Sequence, residues 1–256
     1  MSAEPEALVT ERGPVLVITI NRPAQKNAMT LAAAKIVAEA LDRLDASAGL
    51  SVAVLTGAGD TFCAGMDLKR FAEGERPALP GRGFGGLVEA PPKKPIIAAV
   101  EGWALGGGCE LVLACDLVVA AEGARFGLPE VRRGLVARGG GMLRLPRRLP
   151  YAVAMELLLT GDPIDALRAE SLGLVNRVVP SGQALDTALD LADRVARNAP
   201  LAVQCAKSVA SAARDWPEDE IWQRQAVLSD PVFASDDAQE GARAFVERRV
   251  PVWRGR

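Results

Sequence analysis

The sequence predicts an α/β fold built on a largely parallel sheet and closed by an all-helical C-terminal region. Three features carry that expectation. Short β-branched runs alternate with turn and helix signals through the first half; residues 73–95 hold too much Gly and Pro for a regular element; and after Val178-Val-Pro180 no run of strand quality remains, while helix-length segments follow one another to the end.

Taken in order, Val15-Leu-Val-Ile-Thr-Ile20 is a strand stopped by Asn21-Arg-Pro23. From Thr30 to Ala46, Leu31, Ala34, Val37, Ala38, Leu41 and Leu44 recur at three-and-four spacing, the stripe of an amphipathic crossover helix. Ser51-Val-Ala-Val-Leu-Thr56 is the next strand and ends at Gly57 and Gly59; strand, helix, strand in that order favours parallel pairing. Residues 73–95 then form a long irregular loop, either a surface excursion or the border of a site. Pro95-Ile-Ile-Ala-Ala-Val100 and Asp116-Leu-Val-Val-Ala120 supply further strands. Helices are expected over 183–197, 201–214, 218–228 and 236–248, opened by Pro200, Pro217 and the Ser235-Asp236 pair. The boundary falls near residue 198, leaving a core over 1–198 and a helical region over 199–256.

The 256 residues are 49% hydrophobic and 24% charged, enough chain to bury about three quarters of its unfolded surface. Thirty Lys and Arg stand against 32 Asp and Glu with the signs interspersed, so no basic run suits nucleic acid or an anionic membrane. The first residues carry acids and no apolar leader, and apolar stretches break well short of the ~18 residues a membrane helix needs, so a cytoplasmic protein is expected. Cys63, Cys109, Cys115 and Cys205 lack a CxxC spacing and sit in apolar runs, as reduced buried thiols would. There is no histidine, which excludes a Ser-His-Asp triad, a Cys-His pair and a His-ligated zinc. No metal or cofactor is expected, and acid–base work near neutral pH falls to groups whose environment tunes them.

Two glycine-flanked turns follow strands at similar places. One is Thr56-Gly-Ala-Gly-Asp-Thr-Phe-Cys-Ala-Gly-Met-Asp67, the other Val100-Glu-Gly-Trp-Ala-Leu-Gly-Gly-Gly-Cys-Glu110. On one reading the N–H groups of Met66 and Gly107 converge on a developing oxyanion, with the helix opened at Gly106-Gly-Gly108 favouring negative charge there. On the other, the glycines only permit tight turns and close packing. Neither turn is a nucleotide loop: Phe62 stands where the third Gly of G-x-G-x-x-G belongs, and no G-K-[ST] exists. Glu110 lies one helical turn past Gly107 among Leu111, Val112, Leu113 and Ala114, which leave it no wet face. Glu130 follows a strand in Ala124-Arg-Phe-Gly-Leu-Pro-Glu130. Two glutamates flanking one reacting centre can divide acid and base work, burial and mutual repulsion raising at least one pKa. Asp116 is expected to bind backbone amides at a turn.

With those residues quoted, the sequence resembles the crotonase (enoyl-CoA hydratase/isomerase) superfamily over nearly its whole length. The likeness runs from Asn21-Arg-Pro-Ala-Gln-Lys-Asn-Ala-Met29 through Gly59–Lys69, the long block Lys94–Asp116 and Phe126-Gly-Leu-Pro-Glu130 to Leu159-Thr-Gly-Asp162, Gly173-Leu-Val-Asn176 and Asp236–Arg249. The resemblance implies a spiral of ββα units followed by a helical trimerisation region, assembled as a homotrimer or homohexamer. It implies an acyl-CoA thioester substrate, coenzyme A being part of that substrate, with the carbonyl oxygen held by the amides of Met66 and Gly107. The coenzyme A portion is then expected against Ala64, Met66, Asp67, Leu68, Lys69 and Lys26, with Arg248 and Arg249 of a neighbouring subunit as further candidates. Acids at both Glu110 and Glu130 favour a 2-enoyl-CoA hydratase within the superfamily. The alternatives are an enoyl-CoA isomerase or another thioester-enolate enzyme using one glutamate, and an acyl-CoA-binding protein with little turnover. One departure stands out in Gly134-Leu-Val-Ala-Arg-Gly-Gly-Gly141, where hydratases typically carry Pro and Gly in place of Ala137 and Arg138; Met66 likewise replaces the commoner Ala.

Overall fold

The computed structural model describes residues 4–256, so residues 1–3 at the start of the expected leader-free segment lie outside it. Strands β1 (Ala7–Arg12) and β2 (Val15–Ile20) form an antiparallel hairpin turned at Gly13, and α1 (Leu31–Ala46) crosses over to β3 (Val52–Gly57), which pairs parallel with β2. Next come α2 (Leu68–Ala72) and the small hairpin β4 (Ala78–Leu79) and β5 (Gly83–Phe84). The chain then runs twice through one pattern: β6 (Ile96–Val100), β7 (Trp103–Leu105) and α3 (Gly107–Ala114), followed by β8 (Leu117–Ala121), β9 (Arg125–Gly127), a 3-10 turn at Pro129–Arg133 and α4 (Gly141–Arg148). In each turn of this spiral the first strand joins a large sheet and the second a small one. Helix α5 (Tyr151–Thr160), β10 (Ile164–Asp165), α6 (Ala166–Ser171) and β11 (Arg177–Val179) complete the two sheets, and α7 (Ala184–Ala196), α8 (Pro200–Ala212), α9 (Ile221–Phe233) and α10 (Asp236–Glu247) follow.

The large sheet has the order β1-β2-β3-β6-β8-β11, parallel throughout except for the edge hairpin, and the small sheet is β10-β9-β7. Both faces of the inner strands β2, β3, β6 and β8 are buried, which is why those strands are almost continuously apolar. Leu16, Ile18, Ile20, Leu55, Ala98 and Val118 face the main core with α1 and α3; Val15, Val17, Val52, Val54, Ile97 and Val119 face α7 through Ala184, Ala188, Leu189 and Ala192. The strict alternation along β2 and β3 follows from the two-residue period of a strand.

Helix α1 begins where expected, with the Thr30 hydroxyl accepting the Ala33 N–H at 3.1 Å. Its far end is closed by a side chain from another part of the chain. The buried Lys94 ammonium donates to the carbonyls of Leu44, Ser47 and Leu50 at 2.8, 2.6 and 2.7 Å. Lys207 on α8 donates to the Lys94 carbonyl and to Asp116 Oδ2, which also accepts the Ile96 N–H. Asp116 therefore does bind a backbone amide as expected, and it also ties the helical region to the sheet.

Several sequence expectations need correction. The third C-terminal helix spans Ile221–Phe233 rather than 218–228: Pro217 opens a preceding turn through Glu220 N–H to Pro217 O, and the helix runs on past Leu228 with Pro231 in its last turn. The second ends at Ala212 and tightens into a 3-10 turn at Ala213–Asp215. Cys63, Cys109 and Cys115 are buried free thiols, but Cys205 is only half-buried, because α8 packs one face and leaves the other open. The 73–95 loop is no loose excursion: Leu87 and Val88 enter the core and Phe84 packs against it. Among the described residues no helix is long and apolar enough to cross a membrane.

Replacing Lys94 by Met keeps the apolar stem and leaves the carbonyls of Leu44 and Leu50 without this donor, while Ser47 O keeps the Leu50 N–H. At about 1–3 kcal/mol for each unsatisfied buried group, partly offset by water, Lys94→Met is expected to lower the thermal midpoint by roughly 5–10 °C. Calorimetry checks this, and an unchanged midpoint would remove the ammonium from the list of essential contacts.

Candidate active site

A cavity of about 650 Å³ opens at the ends of β3 and β6, where the two glycine-flanked turns lie side by side. Its walls include Ala64, Met66, Leu68, Gly107, Glu110 and Glu130. The turns are held together by isolated parallel bridges, Cys63 with Ala104 and Met29 with Met66. Their hydrogen bonds are Cys63 N–H to Trp103 O, Leu105 N–H to Cys63 O, Met29 N–H to Gly65 O and Asp67 N–H to Met29 O. This pattern uses the Gly65 carbonyl and the Asp67 N–H on either side of Met66 and leaves the Met66 N–H free. Among the described residues neither the Met66 N–H nor the Gly107 N–H has a hydrogen-bond partner. Gly65 makes the approach possible: at φ +103° it occupies backbone space closed to other residues, and a Cβ there would stand 2.9 Å from Leu105 O and 3.4 Å from Gly107 N. Gly107 is the first residue of α3, so the helix dipole adds to its N–H at the cavity.

Every residue of α3 is buried, Glu110 included at 4% exposure. Its Oε1 accepts the Gly141 N–H at 2.9 Å, while Oε2 lies against Gly139, where a Cβ would stand 2.5 Å away; only glycine admits the carboxylate at that point. Burial, helped by repulsion from Glu130, raises the Glu110 pKa to about 7 against the pull of the Gly141 amide. Glu130 leads the 3-10 turn after β9, with Oε1 3.3 Å from where a Cβ on Gly106 would be. Its Oε2 is buried without a hydrogen-bond partner among the described residues. Burial raises its pKa too, opposed by its own backbone amide and by the Arg133 guanidinium. The two glutamates and the two unpaired amides thus meet on one cavity, as the sequence predicts.

The expected coenzyme A residues separate into two groups. Ala64, Met66 and Leu68 line the cavity, whereas Asp67, Lys69 and Lys26 do not. Asp67 caps α2 through the amides of Lys69 and Arg70 and pairs with Arg22 at 2.9 Å. Burial opposes its ionisation, but the Arg70 amide and the Arg22 guanidinium prevail and hold the carboxyl below its usual range. Lys26 and Lys69 are exposed. Arg248 caps α10 in a left-handed conformation, and Arg249 is bound to Glu240 and Glu247 of its own chain. Cys63 lies beside the site, but burial pushes its thiol up to about 12, away from nucleophilic use.

Sequence reasoning overlooked the Gly139-Gly-Gly141 turn as a source of amides, although it opens a helix in the same manner as Gly106-Gly-Gly108. It also overlooked Phe84, whose ring lies where a side chain on Gly107 would be, so that β4 and β5 roof the oxyanion amides. A lone aromatic between two glycines in a breaker-rich loop was the available signal.

Comparison with known proteins gives one family throughout. The enoyl-CoA hydratase/isomerase family matches residues 10–256. An enoyl-CoA hydratase of Mycobacterium tuberculosis is 43% identical over 98% of this chain and 97% of its own length, and a carnitinyl-CoA dehydratase of Proteus mirabilis is 43% identical over 97% and 98%. The crystal structure of an enoyl-CoA hydratase from Mycobacterium tuberculosis superposes with a TM-score of 0.97 at 56% identity, covering 99% of this chain and all of that one.

The raised pKa of Glu110 carries a stability consequence. The folded protein holds its proton up to about pH 7 while the unfolded chain releases it near 4.5. The group therefore stabilises the fold fully below 4.5 and loses that contribution as pH rises through 7, about 3 kcal/mol in all. Glu110→Gln, which mimics the protonated acid, is expected to unfold at a higher temperature than the wild type at pH 8, the gap closing near pH 4. Thermal melts across that range check it; a variant less stable at pH 8 contradicts the buried-acid assignment.

Proposed function

The chain belongs to the enoyl-CoA hydratase/isomerase family, and from that premise we propose that it hydrates a 2-enoyl-CoA to a 3-hydroxyacyl-CoA, and runs the reverse dehydration, through a thioester enolate. The observation that carries the reading is the convergence of two unpaired amides and two buried glutamates on one cavity. Relatives named enoyl-CoA hydratase and carnitinyl-CoA dehydratase support the hydro-lyase class.

In the hydration direction the thioester carbonyl oxygen accepts from the Met66 and Gly107 N–H groups. Ionised Glu110 orients a water and takes its proton as the water oxygen bonds to C3. The C2–C3 π pair moves toward the carbonyl, and the enolate charge collects on the oxygen between the two amides. Protonated Glu130 then delivers its proton to C2 as the carbonyl re-forms. The proton on Glu110 passes out to solvent and Glu130 is reprotonated, so one water is added and nothing is oxidised. A single oxyanion donor is worth about 3 kcal/mol or more of barrier, and each positioned acid or base contributes ~10²–10⁴ in rate. No metal or separate cofactor is needed in this scheme, coenzyme A entering as part of the substrate.

Self-assembly is part of the proposal. Trp222, Phe233 and Phe245 on α9 and α10 are 71%, 79% and 85% exposed, an apolar surface consistent with the homotrimer or homohexamer that the family resemblance implies.

The test mixes purified protein with crotonyl-CoA and follows loss of the conjugated thioester absorbance. Hydration is expected, with Glu110→Gln and Glu130→Gln each lowering kcat by about 10² or more. The rising limb of kcat/KM near pH 7 belongs to Glu110 and is expected to vanish from the residual rate of its Gln variant. Full activity surviving both substitutions rules out the two-glutamate mechanism. Turnover of 3-enoyl-CoA alone would point to an isomerase, and acyl-CoA binding without turnover to a binding protein.

A further inference from the structure

The charges on the cavity wall bear on the acyl group, a question the hydratase reading leaves open. Beyond the two glutamates, the lining carries three guanidiniums, Arg76, Arg133 and Arg138, against one carboxylate, Glu89. Among the described residues none of the three is in an ion pair. They have different surroundings. Arg76 stacks on the Phe71 ring at 3.8 Å and donates to the carbonyls of Phe71 and Glu75. Arg133 faces Glu130, whose ionisation it favours. Arg138 forms no side-chain hydrogen bond among the described residues, and it immediately precedes Gly139, against which the Glu110 carboxylate lies.

That location decides what Arg138 can meet. The thioester oxygen is assigned to the Met66 and Gly107 amides, and the water to Glu110 one helical turn on. Gly139 lies against the Glu110 carboxylate and Arg138, the residue before it, lines the same cavity, so its long side chain has the reach to meet acyl carbons beyond C3. The phosphates of coenzyme A are separated from the thioester by the whole pantetheine arm, ~15 Å or more at the reach of an extended chain of that length, and lie out of range. Arg138 is exposed on the cavity wall, and an unpaired guanidinium there attracts an anion and repels a cation.

We propose that Arg138 is a specificity-determining residue that selects acyl groups bearing a second carboxylate beyond C3, and so makes the preferred substrate a 2-enedioyl-CoA monothioester. This rests on the hydratase reading and deepens it. The same guanidinium opposes a quaternary ammonium on the acyl chain, so this pocket departs from one suited to the carnitinyl group that several relatives are named for.

The experiment compares three substrates on the wild type and on Arg138→Met: crotonyl-CoA, the CoA monothioester of pent-2-enedioic acid, and 4-trimethylammonio-2-butenoyl-CoA. A charge-assisted pair predicts kcat/KM for the dioyl substrate about 10–100-fold above crotonyl-CoA in the wild type, with the trimethylammonio substrate below it. Arg138→Met is expected to bring the dioyl-to-crotonyl ratio to within about threefold of one, and Arg138→Lys to keep part of the preference. A wild type that turns over all three within about threefold overturns the proposal. So does a variant that lowers kcat/KM for every substrate by the same factor, the signature of a phosphate contact. Should no enoyl-CoA be turned over, the hydratase reading fails by itself, and calorimetric Kd values of glutaryl-CoA and butyryl-CoA still decide: tighter glutaryl-CoA binding lost in Arg138→Met supports the assignment, and equal binding overturns it.

Discussion

One buried carboxylate governs the rest of the site. Helix α3 has no wet face, since all eight of its residues are buried, and Glu110 is the acid it carries inward. A carboxylate in that setting must be neutral, paired or hydrogen-bonded. Among the described residues Glu110 has no ion-pair partner; the Gly141 N–H donates to one oxygen, with smaller help from the Gly139 amide and the Arg144 charge. That partial compensation leaves Glu110 near 7 rather than several units higher or back at 4.5. The requirement spreads outward. The turn before α4 must bring its backbone against the carboxylate, so Gly139 cannot carry a side chain. That turn fixes the start of α4, whose Arg148 in turn reaches the carbonyls of Leu113 and Cys115 at the far end of α3.

The two free amides of Met66 and Gly107 follow from sheet geometry rather than from side chains. β3 and β6 are parallel neighbours, so their C-terminal ends fall together and the turns leaving them run alongside each other. The bridge between Cys63 and Ala104 sets the register of those turns, and the bridge between Met29 and Met66 takes up the Gly65 carbonyl and the Asp67 N–H while sparing the Met66 N–H. Donors made this way are insensitive to the residue that carries them. Met66 in place of a smaller residue leaves the N–H intact, whereas any side chain on Gly65 would push the two turns apart. Preorganised donors in a water-poor cavity need no reorganisation when charge develops, the condition under which such groups lower a barrier most.

The parts legible in the sequence were those set by local pattern. Strands β2, β3, β6 and β8 announce themselves because burial on both faces makes them continuous apolar runs, and helix α1 because its one buried face enforces a three-and-four spacing. The Gly-rich turns and Glu110 were visible because a lone acid in an apolar helix and a glycine run after a strand are both unusual. What escaped was set by distant contacts. Strands of two or three residues such as β7, β9 and β10 are too short to show a period and exist because the small sheet pairs them. The roof formed by Phe84 depends on a hairpin of four paired residues that no propensity would nominate. Asp67 and the two lysines at 26 and 69 were placed at the coenzyme A site by resemblance alone; Arg22 claims Asp67 for the frame of the α2 turn instead. Pro217 was taken as a helix start because proline suits a first turn, but it lies in a turn that precedes the helix.

The lack of histidine gives these features a common cause. An imidazole titrates near neutrality without special surroundings, whereas a carboxyl must be moved there, and here burial does the moving. The cost is of order 3 kcal/mol at Glu110, held in the folded state as resistance to ionising. The same cavity presents the free amides of Met66 and Gly107. It also limits the number of negative charges the site can carry at once. An enolate beside two ionised glutamates would place three anions in one cavity. Burial biases Glu130 toward its protonated form, and the Arg133 guanidinium favours the carboxylate once the proton has gone. In the proposed mechanism the two carboxyls, one held by the Gly141 amide and the other facing a guanidinium, divide base and acid work with no second residue type required.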